Sequence, residues 1–122
     1  MNGTVRRVLV VDDEEPIRRA LIRTLAINGF ETREAADGLS AWGLSMSQHF
    51  DLLVTDIRMP GLDGMELVNR VTQFNPAIKI LLISAYLPIG FPSPHMFMRK
   101  PFTQEEFMAS VRLVLPMPPN ES

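Results

Sequence analysis

In this 122-residue chain, acidic side chains, a serine and a lysine recur at one kind of place, the end of a short apolar run. Val8-Leu9-Val10-Val11 stops at Asp12-Asp13, and Leu52-Leu53-Val54 stops at Thr55-Asp56. Ile78 to Ile83 stops at Ser84, and Met96 to Met98 runs out just before Lys100-Pro101. If these runs are adjacent parallel strands, their ends converge on one shallow cleft. Carboxylates brought that close repel one another, which raises at least one pKa unless a cation neutralises them. An all-oxygen ligand set without His or Cys suits Mg2+ or Mn2+ better than zinc. Lys100 adds a point positive charge, and Ser84 adds a hydroxyl donor. A carboxylate nucleophile, a divalent cation, a lysine and a hydroxyl are what phosphoryl transfer to an aspartate requires.

The elements that must position these groups are legible as an alternation of apolar runs and helical patterns. The β-branched run Val8 to Val11 reads as a strand covered on both faces. Pro16 sits just inside a helix start, where its missing N–H costs nothing. Ile17, Ala20, Leu21, Thr24 and Leu25 then recur at helical spacing, which turns Arg18, Arg19 and Arg23 outward. Asn28-Gly29 closes that helix. A weaker strand over Glu31 to Ala35 leads through Asp37-Gly38 into a helix over Leu39 to Gln48, in which Trp42 packs against the sheet. Turns at Met59-Pro60-Gly61 and Asp63-Gly64 precede a third helical stripe of Leu67, Val68, Val71 and Phe74, stopped by Asn75-Pro76. Thr103 reads as the N-cap of a last helix, with Glu106 as its capping-box partner and Phe107, Val111, Val114 and Leu115 on its apolar face. Such a β-α-β-α order predicts an α/β fold, a parallel sheet wound with helices on both faces through right-handed crossovers. Ligands in such sheets bind at the carboxyl ends of the strands, where the five candidate residues lie.

Composition narrows the class further. The length fits one domain, and 46% hydrophobic residues suffice for a core. A net charge of −2 argues against direct nucleic-acid binding, which favours a basic stripe. Without cysteine there is no disulfide and no thiol nucleophile, which allows a reducing compartment. The apolar runs are strand-sized and far too short to span a membrane, and the N-terminus does not read as a signal peptide. The expected setting is cytoplasmic. The eight methionines read as core fillers, and His49 and His95 lack ligand spacing.

Val8-Leu9-Val10-Val11-Asp12-Asp13, the stretch Asp56-Ile57-Arg58-Met59-Pro60-Gly61-Leu62-Asp63-Gly64, Ser84-Ala85 and Lys100-Pro101-Phe102 together resemble the receiver domain of two-component response regulators. Each motif alone is weak; their joint order at matching strand ends is strong. The resemblance covers about residues 5 to 115 and implies a five-stranded CheY-like, flavodoxin-like sheet in the order 2-1-3-4-5. It implies that Asp56 is the phosphoacceptor, that Asp13 ligates Mg2+ (or Mn2+) directly and that Asp12 acts mainly through a bound water. The Arg58 carbonyl would complete the metal shell, and Lys100 would pair first with the Asp56 carboxylate and then with phosphoryl oxygens. Ser84 would be the switch hydroxyl, Phe97 the switch aromatic, and Arg58 and Tyr86 the residues that tune phosphoryl lifetime. The implied donor is a sensor histidine kinase or phosphotransfer protein, and self-phosphorylation and autodephosphorylation would be the only chemistry. The expected state is a monomer or weak dimer. Residues 1–115 would be the receiver, with 116–122 a Pro-rich tail or the start of a linker to a C-terminal effector domain in a longer native chain.

One stretch departs from the family. Between Ser84 and Lys100 the chain is about six residues shorter than the usual fourth-helix segment, more than one and a half helical turns. It also carries Pro88, Pro92, Pro94 and Gly90, so a shortened or absent fourth helix is expected there. Plainer readings stand beside the functional ones. Asp12 and Asp13 could cap the first helix, Asp56 could be a loop acid, Ser84 a turn hydroxyl, Lys100 a solvated lysine and Phe97 a core aromatic. Two other function classes also fit parts of the chain. A receiver-like interaction module that works without phosphate would suit the altered fourth-helix region. A Mg2+-dependent phosphatase resembling the haloacid dehalogenase family would want Asp-x-Asp, where this chain has adjacent Asp12-Asp13.

Overall fold

The computed structural model describes residues 5–86 and 94–116. Alternating apolar runs become five parallel strands: β1 (Arg7–Val11), β2 (Glu31–Ala35), β3 (Leu52–Asp56), β4 (Lys79–Ser84) and β5 (Met96–Arg99). They form one sheet in the order β2-β1-β3-β4-β5. Helices α1 (Glu15–Ile27), α2 (Gly38–Ser47), α3 (Gly64–Phe74) and α4 (Gln104–Val114) connect and flank them. Period-two alternation splits the strands between two cores. Leu9, Val11, Leu53 and Leu82 face α2 and α3, while Val8, Val10, Leu52, Val54, Leu81 and Ile83 face α1 and α4. The doubly wound α/β fold is therefore the one the pattern predicts.

Local chemistry sets the helix ends. Asp37 and Asp63 cap α2 and α3 by accepting the amides of Ser40 and Glu66. Thr103 and Glu106 form the expected capping box on α4. The fourth helix in chain order, α4, follows β5. The expected shortening falls between Ser84 and Lys100, and residues 87–93 of that stretch lie outside the described residues.

Several sequence expectations need correction. Arg18 does not turn outward; it is buried, because its guanidinium finds Glu34 and a backbone carbonyl beside β1. Ala20 is exposed and lines a groove rather than being buried. Phe74 lies mostly outside the core and meets the half-buried Trp42 edge-on, with ring centroids 5.8 Å apart. Methionine is not uniformly a core filler either, for Met59 and Met108 are buried while Met46 and Met96 are exposed.

Candidate functional site

The β2-β1-β3-β4-β5 order puts β1 and β3 side by side, with Val11 paired to Thr55. Asp12 and Asp56, each next in sequence, therefore leave the sheet together. Carboxylate oxygens of Asp12, Asp13 and Asp56 all lie within 4.8 Å of one another. Asp12 and Asp56 are buried, while Asp13 is exposed. Asp12 and Asp13 do not cap α1. Its N-cap is Glu14, without any side-chain cap, and Asp12 Oδ1 instead accepts the Glu14 amide at 2.9 Å.

Lys100 comes from the far edge of the sheet. Ser84 pairs with Arg99 in the β4–β5 register, and the Lys100 amide donates to the Ser84 carbonyl at 2.9 Å. This anchors the lysine at the mouth of the cluster. Its Nζ lies 2.8 Å from Asp12 Oδ2, 2.9 Å from Asp56 Oδ2 and 3.1 Å from Glu14 Oε1. The lysine side chain is only 8% exposed, which rules out a solvated surface lysine. Burial by itself would lower the pKa of this ammonium. Its bonds to Asp12, Asp56 and Glu14 outweigh that and hold it above the usual lysine range. For Asp12 the balance goes the other way: burial raises its carboxyl above 3.8 despite the lysine. The buried Asp12 Oδ2 faces the Lys100 ammonium directly, at 2.8 Å.

The remaining candidates are arranged around this centre. Ser84 is buried, but its hydroxyl donates to the Tyr86 carbonyl at 2.7 Å and accepts the Tyr86 amide at 3.2 Å. The Arg58 amide donates to Asp56 Oδ1 at 3.3 Å, and its guanidinium lies 5.4 Å from the centroid of the exposed Tyr86 ring. Phe97 points outward from β5 at 48% exposure, so it is not a core aromatic. Sequence reasoning missed Glu14 as a partner of Lys100. The only available signal was its place directly after Asp12-Asp13.

A family model described as the response regulator receiver domain matches residues 8–91. The chain belongs to that family. Among relatives, the response regulator receiver protein CpdR of Brucella abortus is 29% identical, over 91% of this chain and 98% of its own length. Response regulator MprA of Mycobacterium avium is 33% identical over 89% of this chain, which spans 50% of MprA. Solved structures agree in fold. The chemotaxis protein CheY4 of Vibrio cholerae superposes with a TM-score of 0.81 at 28% identity, covering 92% of this chain and 100% of that one. TrrA of Thermotoga maritima, solved in complex with Mg(2+)-BeF, gives 0.82 at 31% identity, covering 91% and 100%. The receiver domain thus has the five-stranded parallel sheet and order that the resemblance implied. Receiver domains are not enzymes in the usual sense; they take part in two-component signalling. No helix among the described residues is long and apolar enough to cross a membrane.

A glycine lets α3 pack closely against the end of β3. A Cβ on Gly64 would lie 2.0 Å from the Asp56 carbonyl oxygen and 2.8 Å from the Ile57 Cα. Both neighbours are backbone and cannot rotate away, and the Gly64 amide donates to the Ile57 carbonyl at 2.8 Å. Gly64→Ala is therefore expected to push α3 off the end of β3 and cost about 3 kcal/mol, at the upper end of overpacking penalties. Urea unfolding measures it; a loss below about 1 kcal/mol would show that α3 shifts freely.

Proposed function

We propose that Asp56 accepts a phosphoryl group from a phosphohistidine donor in a reaction that depends on a divalent cation at Asp12, Asp13 and Asp56. The observation that carries this reading is the junction at Asp56 Oδ2: a buried carboxylate held 2.9 Å from Lys100 and inside a three-carboxylate cluster. In the transfer, an Asp56 oxygen forms the new O–P bond as the N–P bond to the donor imidazole breaks. The all-oxygen cluster of Asp12, Asp13 and Asp56, within 4.8 Å of one another, fits a hard cation. Asp13, exposed, would ligate directly, Asp12 mainly through water, and the Arg58 carbonyl would complete the protein's share. When bound, Mg2+ (or Mn2+) offsets the charge gathered on the phosphoryl oxygens. Lys100 moves its charge-assisted bond from the carboxylate to the phosphoryl group.

Ser84 acts as the switch by exchanging the Tyr86 carbonyl for a phosphoryl oxygen, a bond its present partner holds in reserve. Phe97, exposed on the edge strand, follows that movement. The Arg58–Tyr86 stack stands beside Asp56 and tunes phosphoryl lifetime by limiting water access. In this reading residues 1–115 are the receiver unit and 116–122 a tail or linker start. MprA extends to about twice the matched length, as a chain with a further domain would, whereas CpdR is matched over 98% of its length. On sequence alone, Pro88, Pro92 and Pro94 support a β4–β5 connection with less than a full helix. The cell compartment that suits these partners is the cytoplasm.

Incubation with a small acyl phosphate and Mg2+ is expected to add one phosphoryl group by intact mass, and a chelator is expected to prevent it. Equal labelling with the chelator would overturn the cation's role. A docking route is also visible. An apolar groove of about 310 Å³ between α1 and α4 is lined by Pro16, Ile17, Ala20, Leu21, Phe102 and Phe107, with Lys100 also on its wall. Receiver domains interact with histidine kinases or phosphotransfer proteins, and this groove suits a helix of such a donor. Ala20→Arg is expected to cut labelling by a phosphohistidine protein at least about tenfold, the effect of losing 1.4 kcal/mol of docking. Labelling by the small acyl phosphate would stay unchanged; a parallel loss of both would place Ala20 in the site itself.

A further inference from the structure

Arg18 is a buried charge that none of the chemistry above uses. It lies on the first turn of α1, with the Arg18 amide donating to the Glu14 carbonyl at 3.0 Å. Its side chain is 11% exposed, a position that is costly for a guanidinium unless its donors are met. They are met in a particular way. Nε donates to Glu34 Oε1 at 2.7 Å, and Nη1 donates to the Asp12 carbonyl at 2.9 Å. Glu34 is a firm anchor: Arg18 above all, with Arg19 3.4 Å from the same oxygen, holds its carboxyl below the usual range. On the other side, the Asp12 amide donates to the Ala35 carbonyl at 3.2 Å. The carbonyl that Arg18 grips belongs to the peptide joining Asp12 to Asp13, so its orientation sets where both carboxylates leave the backbone.

We infer that Arg18 is a positioning residue for the cation site, a guanidinium braced on Glu34 that fixes the Asp12–Asp13 peptide and aims both carboxylates. This rests on the reading of Asp12, Asp13 and Asp56 as cation ligands. Mg2+ tolerates little departure from octahedral geometry, so a loosened ligand loop costs affinity even with every ligand present. Outer partners of metal ligands commonly contribute about 10- to 100-fold.

The test is Mg2+ titration of the full chain followed by amide NMR, with thermal unfolding in chelator recorded for each variant. Arg18→Met fills the same space without donors and is expected to weaken Mg2+ binding about tenfold or more. Arg18→Lys, which keeps charge but not the fork, is expected to fall between, and Glu34→Gln, which keeps an acceptor, is expected to stay near wild type. Wild-type affinity in Arg18→Met together with a lower unfolding temperature would overturn the proposal, leaving Arg18 a packing residue. If Arg18→Met does not fold, unchanged affinity in Arg18→Lys overturns it equally. Absence of Mg2+ binding in the wild type would instead overturn the cation reading on which the proposal stands.

Discussion

Asp56→Asn is expected to abolish phosphoryl incorporation from a small acyl phosphate, with Mg2+ present and the fold retained. The side chain is nearly isosteric, and β3 is held by the Ile57 amide on the Ile83 carbonyl as well as by its buried apolar residues. What changes is the nucleophile, since a carboxamide has neither the charge nor the basicity to form the acyl phosphate. Asp13 does not substitute, for it is exposed and lacks the bond to Lys100 that Asp56 makes. Intact-mass spectrometry with and without Mg2+ checks this. Incorporation in Asp56→Asn at wild-type level would move the acceptor elsewhere.

Lys100→Ala is expected to slow labelling of Asp56 by about 10- to 100-fold, the range of one hydrogen bond to a charged group. Mg2+ affinity should change little or tighten, because the lysine adds positive charge to the place a cation would share. A tenfold or greater loss of Mg2+ affinity would contradict the assignment. Without Mg2+, the variant is also expected to lose about 3 kcal/mol at neutral pH, the usual cost of leaving buried charges without their partner. The pH dependence has a definite sign. The folded-state pKa of Lys100 is raised, so its contribution is present below the unfolded lysine value of 10.5 and fades only as pH climbs through the higher folded value. Asp12 is likewise raised above 3.8, so its charged form opposes folding increasingly as pH rises through its folded value. The stability gap between wild type and Lys100→Ala should therefore narrow on acidification toward 3.8, where Asp12 becomes neutral. Urea titrations in chelator across that range measure it; a gap independent of pH would separate Lys100 from Asp12.

Much of this receiver was determined by the sequence itself, because the physics involved is local. Unbroken apolar runs ending in a charge or a hydroxyl specify parallel strands buried on both faces and place Asp12, Asp56, Ser84 and Lys100 at one end of the sheet. Thr103 with Glu106, and Asn28-Gly29, likewise mark helix boundaries through bonds within a few residues. What the tertiary structure alone decided depends on distances between residues remote in sequence. Helical spacing assigns Arg18 to solvent, yet Glu34 from β2 and the Asp12 carbonyl draw it inward. Spacing gave no reason to link Glu14 to Lys100, which lie 86 residues apart and meet only because β5 runs parallel to β4 at the sheet edge. Phe97 is half exposed for the same kind of reason: β5 is the edge strand of the sheet. Periodicity reports which way a side chain leaves its own element, whereas the partner waiting there is set by how the elements pack.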